Sequence, residues 1–137
     1  MSTSAPPRPG VLVVDDDPHL RHILGLALPR FGFTAWLASG GEEALALYRA
    51  RPREVALALL DVVMPGLDGP DTLLGLRELD PRLPCCFMTG EAGGHTPAGL
   101  LALGARRVFL KPFRLDELAA ELWRLLGGGP APTTRAP

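Results

Sequence analysis

Lysine is almost absent from this chain, since Lys111 is the single lysine among 14 basic residues. Cysteine is also scarce, and the adjacency of Cys85 and Cys86 excludes a framework of spaced disulfides. No apolar run approaches the length of a membrane span, and residues 1–10 lack the apolar segment of a signal peptide. A net charge of −1 excludes global attraction to nucleic acid or anionic lipid. These absences predict a cytoplasmic protein that binds neither nucleic acid nor membrane.

The length and the distribution of proline and glycine predict one folded domain with flexible ends. With 137 residues, 47% of them hydrophobic, the chain is long enough for a single core. Residues 1–9 are predicted to be a flexible N-terminal segment, 10–126 the folded domain, and 127–137 a flexible Pro/Gly-rich tail. No second domain fits into that tail, so the domain is predicted to act alone.

Short apolar runs alternate with helical patterns five times along the chain. The predicted strands are Val11–Val14, Thr34–Leu37, Val55–Leu60, Pro84–Met88 and Arg107–Leu110. The first predicted helix begins at Pro18 and the second near Glu42. The other three predicted helices are Pro70–Leu79, Pro97–Leu103 and Leu115–Leu126. Pro29 is expected to end or bend the first helix early. Strict alternation predicts an α/β fold: a flavodoxin-like, doubly wound parallel sheet of order 2-1-3-4-5 with five helices on both faces.

The conspicuous polar residues of this chain all follow predicted strands. Asp15 and Asp16 follow the first strand, Asp61 the third, Thr89 the fourth and Lys111 the fifth. Parallel strands end at one edge of the sheet, which is where this architecture binds ligands. Two carboxylates about 4 Å apart repel by ~4 kcal/mol at an effective dielectric constant of about 20. Lys111 offsets one of three negative charges, and a divalent cation would offset the other two.

An all-oxygen site with few protein ligands suits Mg²⁺, with Mn²⁺ as the alternative. No set of His and Cys residues for zinc is apparent, because His19 and His22 stand three apart on a helix without further ligands. A carboxylate beside such a cation, with an ammonium group opposite, can attack phosphorus and form an aspartyl phosphate. Asp61 is the predicted nucleophile, and Asp16 and Asp15 are the predicted metal ligands, Asp15 directly or through water. Lys111 and Thr89 are predicted to contact phosphate oxygens.

Four segments together resemble the receiver domain of bacterial two-component response regulators. They are Val13-Val14-Asp15-Asp16-Asp17, Asp61-Val62-Val63-Met64-Pro65-Gly66-Leu67-Asp68-Gly69, Met88-Thr89-Gly90 and Lys111-Pro112-Phe113. The resemblance implies phosphorylation of Asp61 by a histidine kinase or a histidine phosphotransfer protein. It implies that the backbone carbonyl of Val63 completes the metal shell of Asp15, Asp16 and Asp61. It also implies phosphate-contact and switch roles for Thr89 and Lys111, and a cis peptide bond before Pro112.

One position departs from the pattern of this family. Receivers often carry an aromatic residue three positions before the lysine, and here that position is Val108. Phe109 is adjacent, but strand alternation points it to the opposite face. Signalling to an unknown protein target is expected through the fourth helix, fifth strand and fifth helix, as a monomer or a weak dimer. Candidate residues on that surface are Arg106, Arg107, Val108 and Trp123; packing of Trp123 against the core is the alternative.

Two other functions remain open from the sequence. Val108 leaves room for a receiver-fold interaction module with atypical or absent phospho-switching. The Asp-x-Asp pattern of Asp15–Asp17 is shared with acyl-phosphate hydrolases of the haloacid dehalogenase type, although Pro18 and His19 follow it instead of a threonine. A DNA-binding regulator is not expected within this chain, which lacks a basic recognition helix. No enzyme acting on a metabolite is expected either, since the domain would catalyse only its own phosphorylation and dephosphorylation.

Overall fold

A computed structural model of the chain describes residues 8–90 and 94–128. The strands are β1 Gly10–Val14, β2 Thr34–Ala38, β3 Leu57–Asp61, β4 Cys85–Thr89 and β5 Arg107–Leu110. The helices are α1 Pro18–Arg30, α2 Gly41–Ala50, α3 Gly69–Leu79, α4 Pro97–Ala102 and α5 Leu115–Leu125. Most of the predicted N-terminal segment and tail lies outside the described residues.

The five strands form one parallel sheet of order β2-β1-β3-β4-β5, which confirms the predicted topology. Val14 lies opposite Leu60, and Thr89 lies opposite Leu110. The central strands β1, β3 and β4 are buried along their whole length, as continuous apolar runs predict for strands covered on both faces. Their carboxyl ends therefore meet at one edge of the sheet.

Two apolar clusters fill the space between the sheet and the helices. One cluster joins the sheet to α2, α3 and α4 and includes Ala44, Leu73, Leu76 and Leu100. The other joins the opposite face to α1 and α5 and includes Leu24, Leu28, Leu118 and Leu122. In the residues described, no helix combines the length and apolarity needed to cross a bilayer.

The main difference from the predicted elements concerns Pro29. Of the two predicted effects of Pro29, an early end of α1 is wrong, because the helix continues to Arg30 with Pro29 in its last turn; the predicted bend stays a prediction. Leu24 and Leu28 are buried against the sheet, and this packing holds the last turn although Pro29 lacks an N–H. The chain leaves the helix immediately afterwards through Gly32, whose φ is +95°.

Candidate functional site

The carboxyl edge of the sheet brings together the five polar residues that the sequence singles out. Asp15 and Asp16 directly follow β1, Asp61 is the last residue of β3, Thr89 ends β4, and Lys111 follows β5. These positions come from four strands, so the cluster exists only when the sheet is assembled.

Lys111 joins the two buried acids of this cluster. Its Nζ lies 3.0 Å from Asp15 Oδ2 and 3.2 Å from Asp61 Oδ1. Burial by itself lowers the pKa of Lys111, but the hydrogen bonds and negative charges of Asp15 and Asp61 outweigh it and raise the pKa overall. The side chain is therefore a permanent ammonium group, and it keeps 26% of its surface exposed to an incoming ligand.

Asp15 is held at both carboxylate oxygens, whereas Asp16 faces solvent. Oδ1 of Asp15 accepts a hydrogen bond from the backbone N–H of Asp17 at 2.9 Å, and Oδ2 accepts from Lys111. The side chain of Asp17 in turn accepts from the backbone N–H of His19 at 2.9 Å and so caps α1. The turn between β1 and α1 therefore fixes one acid inside the site and presents the next at its surface.

Asp61 carries a carboxylate in a largely desolvated position, with 8% of the residue exposed. Burial, and after it the negative charge of Asp15, raise the pKa of Asp61 to about 6. The ammonium group of Lys111 opposes this increase without cancelling it. One positive charge is therefore too few for the acids around Asp61, and the site favours binding of a further cation.

The three acids have the geometry of a cation site. Asp15, Asp16 and Asp61 each offer a carboxylate oxygen, and these oxygens lie within 4.8 Å of one another. Hard oxygen ligands suit a divalent cation such as Mg²⁺, so the residues fit the cofactor that the sequence predicts. Val63, whose carbonyl is the predicted fourth ligand, lies two residues beyond Asp61 in the loop before α3, with its side chain 54% exposed.

Thr89 contributes a buried hydroxyl that has no hydrogen-bond partner within the described part of the chain. An unsatisfied buried polar group is unfavourable, and an anionic oxygen arriving beside it would relieve that cost. Gly90 follows Thr89, and a side chain there would contact the stem of Lys111 at about 3.8 Å. Thr89 and Lys111 thus flank the same part of the edge.

The loop after Asp61 needs glycine at position 69 for a reason that the sequence does not reveal. A Cβ atom on Gly69 would lie 2.3 Å from the carbonyl oxygen of Asp61. The backbone N–H of Gly69 also donates to the carbonyl of Val62 at 2.9 Å. The loop therefore closes tightly over the end of β3.

The side chains of Val108 and Phe109 lie on opposite faces of β5, as predicted. Val108 packs on the side of α2, α3 and α4, whereas Phe109 packs on the side of α1 and α5. The ring of Phe109 meets Phe113 edge-on, with centroids 6.4 Å apart. The peptide bond between Lys111 and Pro112 is cis.

Trp123 packs against the core, as the alternative prediction states. Its ring stacks on Phe33 at 4.7 Å, and its Nε1 donates to the carbonyl of Phe31 at 2.7 Å. Helix α5 turns this residue toward α1, away from α4. Arg106 and Arg107 are exposed, and Arg107 forms an ion pair with Glu121 on α5.

Sequence reasoning missed Arg21, one of thirteen arginines and unremarkable in the chain. In the structure, its Nη1 donates to the backbone carbonyl of Asp15 at 2.8 Å. No local sequence signal identifies this contact, because it depends on how the first turn of α1 folds back over β1.

Comparison with known proteins matches most of the chain to the family that its sequence motifs resemble. The family model for the response regulator receiver domain matches residues 11–122. The response regulator MprA of Mycobacterium leprae is 39% identical over 116 residues, which are 85% of this chain and 50% of that protein. The regulatory protein AtoC of Escherichia coli is 35% identical over 116 residues, 85% of this chain and 25% of that protein. This chain thus spans about a quarter to a half of the length of these curated relatives.

Solved structures agree with the fold. The receiver domain of NtrX from Brucella abortus is 30% identical, with a TM-score of 0.76, covering 85% of this chain and 97% of that one. The chemotaxis protein CheY4 of Vibrio cholerae is 27% identical, with a TM-score of 0.77, covering 85% of this chain and 98% of that one. The acid cluster, the lysine that joins it and the family match lead to one conclusion: this chain belongs to the response regulator receiver domain family.

Proposed function

We propose that this domain accepts a phosphoryl group on Asp61 from a phosphohistidine donor and signals through protein contacts that depend on this modification. The observation that carries the proposal is the bridge from Lys111 Nζ to both Asp15 and Asp61 at the edge of the sheet. Lys111 supplies one positive charge for a phosphoryl oxygen beside Asp61, and a divalent cation on the three acids would supply the rest.

The transfer conserves charge and atoms without a further reactant. A carboxylate oxygen of Asp61 forms a bond to phosphorus while the bond from phosphorus to the donor imidazole nitrogen breaks. The bonding electrons stay on that nitrogen, so the donor leaves as a histidine. Lys111 stabilises negative charge on a phosphoryl oxygen, and the buried hydroxyl of Thr89, which lacks a partner among the described residues, donates to another. In the later hydrolysis, a water oxygen bonds to phosphorus while the bond from phosphorus to the Asp61 oxygen breaks, which releases inorganic phosphate and a free carboxylate.

Asp15, Asp16 and Asp61, together with the carbonyl of Val63, are the groups that would hold Mg²⁺, or Mn²⁺ in its place. When bound, the cation neutralises phosphoryl charge and aligns the reacting groups. Asp15 is preorganised for this role by its two hydrogen bonds, whereas Asp16 is accessible from solvent.

The surface of α4, β5 and α5 is the proposed output surface. It exposes Leu101, Leu103 and Leu110, with 45%, 40% and 61% of their surface accessible. Exposed apolar side chains of this kind favour a protein partner. The histidine kinase or phosphotransfer protein and the target on this surface stay predictions. The boundaries 10–126 and the cytoplasmic location also stay predictions.

A receiver-fold interaction module without phospho-switching is the second candidate, and Val108 favours it. This side chain lies in the apolar cluster beside α4, where it lacks the ring that commonly reports phosphorylation in the family. If this candidate is correct, modification of Asp61 leaves partner binding unchanged.

Phosphorylation by a small donor tests both candidates. Incubation with acetyl phosphate or phosphoramidate and Mg²⁺ should add one phosphoryl group, detected by intact-protein mass spectrometry. Asp61→Asn should abolish the addition, and chelation of the cation should suppress it. Asp68→Asn is a matched control, because Asn retains the capping of α3 and position 68 is outside the cation cluster.

A phosphoryl group that still appears on Asp61→Asn would contradict the assignment of the acceptor. A wild-type protein that acquires no label with either donor at saturating Mg²⁺ would favour the interaction module. Turnover of a small phosphate ester would instead favour the hydrolase alternative.

A further inference from the structure

The backbone carbonyl of Asp15 is held by an arginine side chain. Asp15 lies one residue past β1, and its backbone N–H still bonds to the carbonyl of Ala38 at 3.2 Å. Its carbonyl accepts instead from Nη1 of Arg21 at 2.8 Å, within normal hydrogen-bond range. A charged donor makes this one of the stronger kinds of hydrogen bond in a protein.

The same residue closes the turn between β1 and α1 from two directions. The backbone N–H of Arg21 donates to the carbonyl of Asp17 at 3.1 Å, while the guanidinium group reaches back to Asp15. Both ends of the three-residue acidic segment are therefore tied to Arg21. Because Asp15 and Asp16 share one planar peptide group, holding the Asp15 carbonyl also sets the direction in which the chain enters Asp16.

Asp16 needs this support more than its neighbours do. Asp15 has both carboxylate oxygens held, and Asp61 is fixed at the end of a buried strand, whereas Asp16 is exposed. The backbone that precedes Asp16 is thus the main determinant of where its carboxylate lies relative to the other two.

Arg21 also interacts electrostatically with Glu43, in the first turn of α2. The pKa of Glu43 is lowered, first by the backbone N–H and the hydroxyl of Ser39 and then also by the charge of Arg21. Glu43 Oε1 accepts both Ser39 hydrogen bonds at 2.7 Å. The charge of Glu43 thus adds a favourable electrostatic interaction to the hydrogen bond that holds Arg21 at Asp15.

We propose that Arg21 is a positioning residue for the cation: its guanidinium group holds the Asp15–Asp16 peptide and thereby sets the affinity of the three-acid cluster for Mg²⁺. This inference rests on the proposed function, since it assigns a residue that touches neither the cation nor the phosphoryl group. Groups that orient metal ligands without binding the metal typically change metal affinity by about 10–100-fold when removed.

Isothermal titration calorimetry with MgCl₂ on the full chain tests the proposal directly. Arg21→Met keeps the apolar stem but removes the donors, and it should weaken Mg²⁺ binding about tenfold. Arg21→Lys retains one cationic donor and should recover part of the loss. Arg77→Met is the matched control, because Arg77 is also half-buried and donates to backbone carbonyls, those of Leu83 and Gly104, far from the acids.

Phosphorylation by acetyl phosphate separates positioning from general damage. Arg21→Met should require about ten times more Mg²⁺ for half-maximal rate and should approach the wild-type rate at saturation. An unchanged dissociation constant for Arg21→Met, or equal weakening by Arg77→Met, would overturn the role of Arg21 while leaving the proposed function intact. A wild-type protein that binds no Mg²⁺ would overturn both.

Discussion

At the scale of single residues, the proposed phosphoacceptor Asp61 lies in an environment that opposes stability. A carboxylate with 8% of its residue exposed loses hydration, and the nearby charge of Asp15 adds repulsion. One ammonium group, Lys111, provides partial compensation. This cost in stability has a use, because a site with fully compensated charges would not attract a cation.

We expect Asp61→Asn to stabilise the cation-free protein by about 2–3 kcal/mol at neutral pH. The pKa of Asp61 rises from 3.8 to about 6 on folding, so folding favours the protonated form. The favourable contribution of Asp61 is therefore complete below pH 4 and is lost as the pH rises to 6. Urea unfolding with a chelator present, at several pH values, measures the difference.

The stability of Asp61→Asn should lack this loss between pH 4 and 6, so the two proteins should converge in acid. Asp68→Asn serves again as the control and should follow the wild-type curve. Equal stability of wild type and Asp61→Asn at pH 7 would show that the carboxylate is well solvated, contrary to its burial.

At the scale of elements, the loop between β3 and α3 is shaped by a close backbone approach. Gly69 begins α3 directly behind the end of β3, and a Cβ atom there would lie 2.3 Å from the carbonyl oxygen of Asp61. Backbone atoms on both sides leave little freedom to relax. The start of α3 and the proposed phosphorylation site at Asp61 are thus one structural unit.

Gly69→Ala should lower the free energy of unfolding by about 2–3 kcal/mol, as expected for overpacking against backbone. Gly40→Ala is the control, because a Cβ atom at Gly40 meets nothing within 4 Å. Urea denaturation of both variants measures the change. A Gly69→Ala protein as stable as Gly40→Ala would mean that the loop can open without penalty.

At the scale of the whole molecule, cation binding and folding are linked. The three acids come from two strand ends, so the unfolded chain has no comparable site. Mg²⁺ at 100 times its dissociation constant should raise the free energy of unfolding by about 2.7 kcal/mol. Thermal unfolding at increasing MgCl₂ concentrations measures this effect.

Asp16→Asn should remove most of that increase while leaving the stability without cation nearly unchanged, because Asp16 is exposed. NaCl at matched ionic strength controls for screening. An equal increase with NaCl, or an undiminished increase in Asp16→Asn, would show that the acids act by general screening.

Most of the fold could be predicted from patterns within single segments. Continuous apolar runs such as Val11–Val14 indicate central parallel strands, and Asp17 followed by Pro18 indicates a helix start; both are local properties. Pro29 shows the limit of local reasoning, since burial of Leu24 and Leu28 keeps the last turn of α1 helical. Trp123 shows another, because the direction of its ring depends on how α5 packs on α1.

The sequence alone determined the strand order, the edge at which the acids and Lys111 would meet, and the family, because each depends on residue type and spacing along the chain. Only the tertiary structure decided the contact of Arg21 with Asp15, the closeness of Gly69 to Asp61 and the burial of the Thr89 hydroxyl without a partner among residues 8–90 and 94–128. These features depend on distances and burial between atoms of neighbouring elements, which arise only when the sheet and helices pack together.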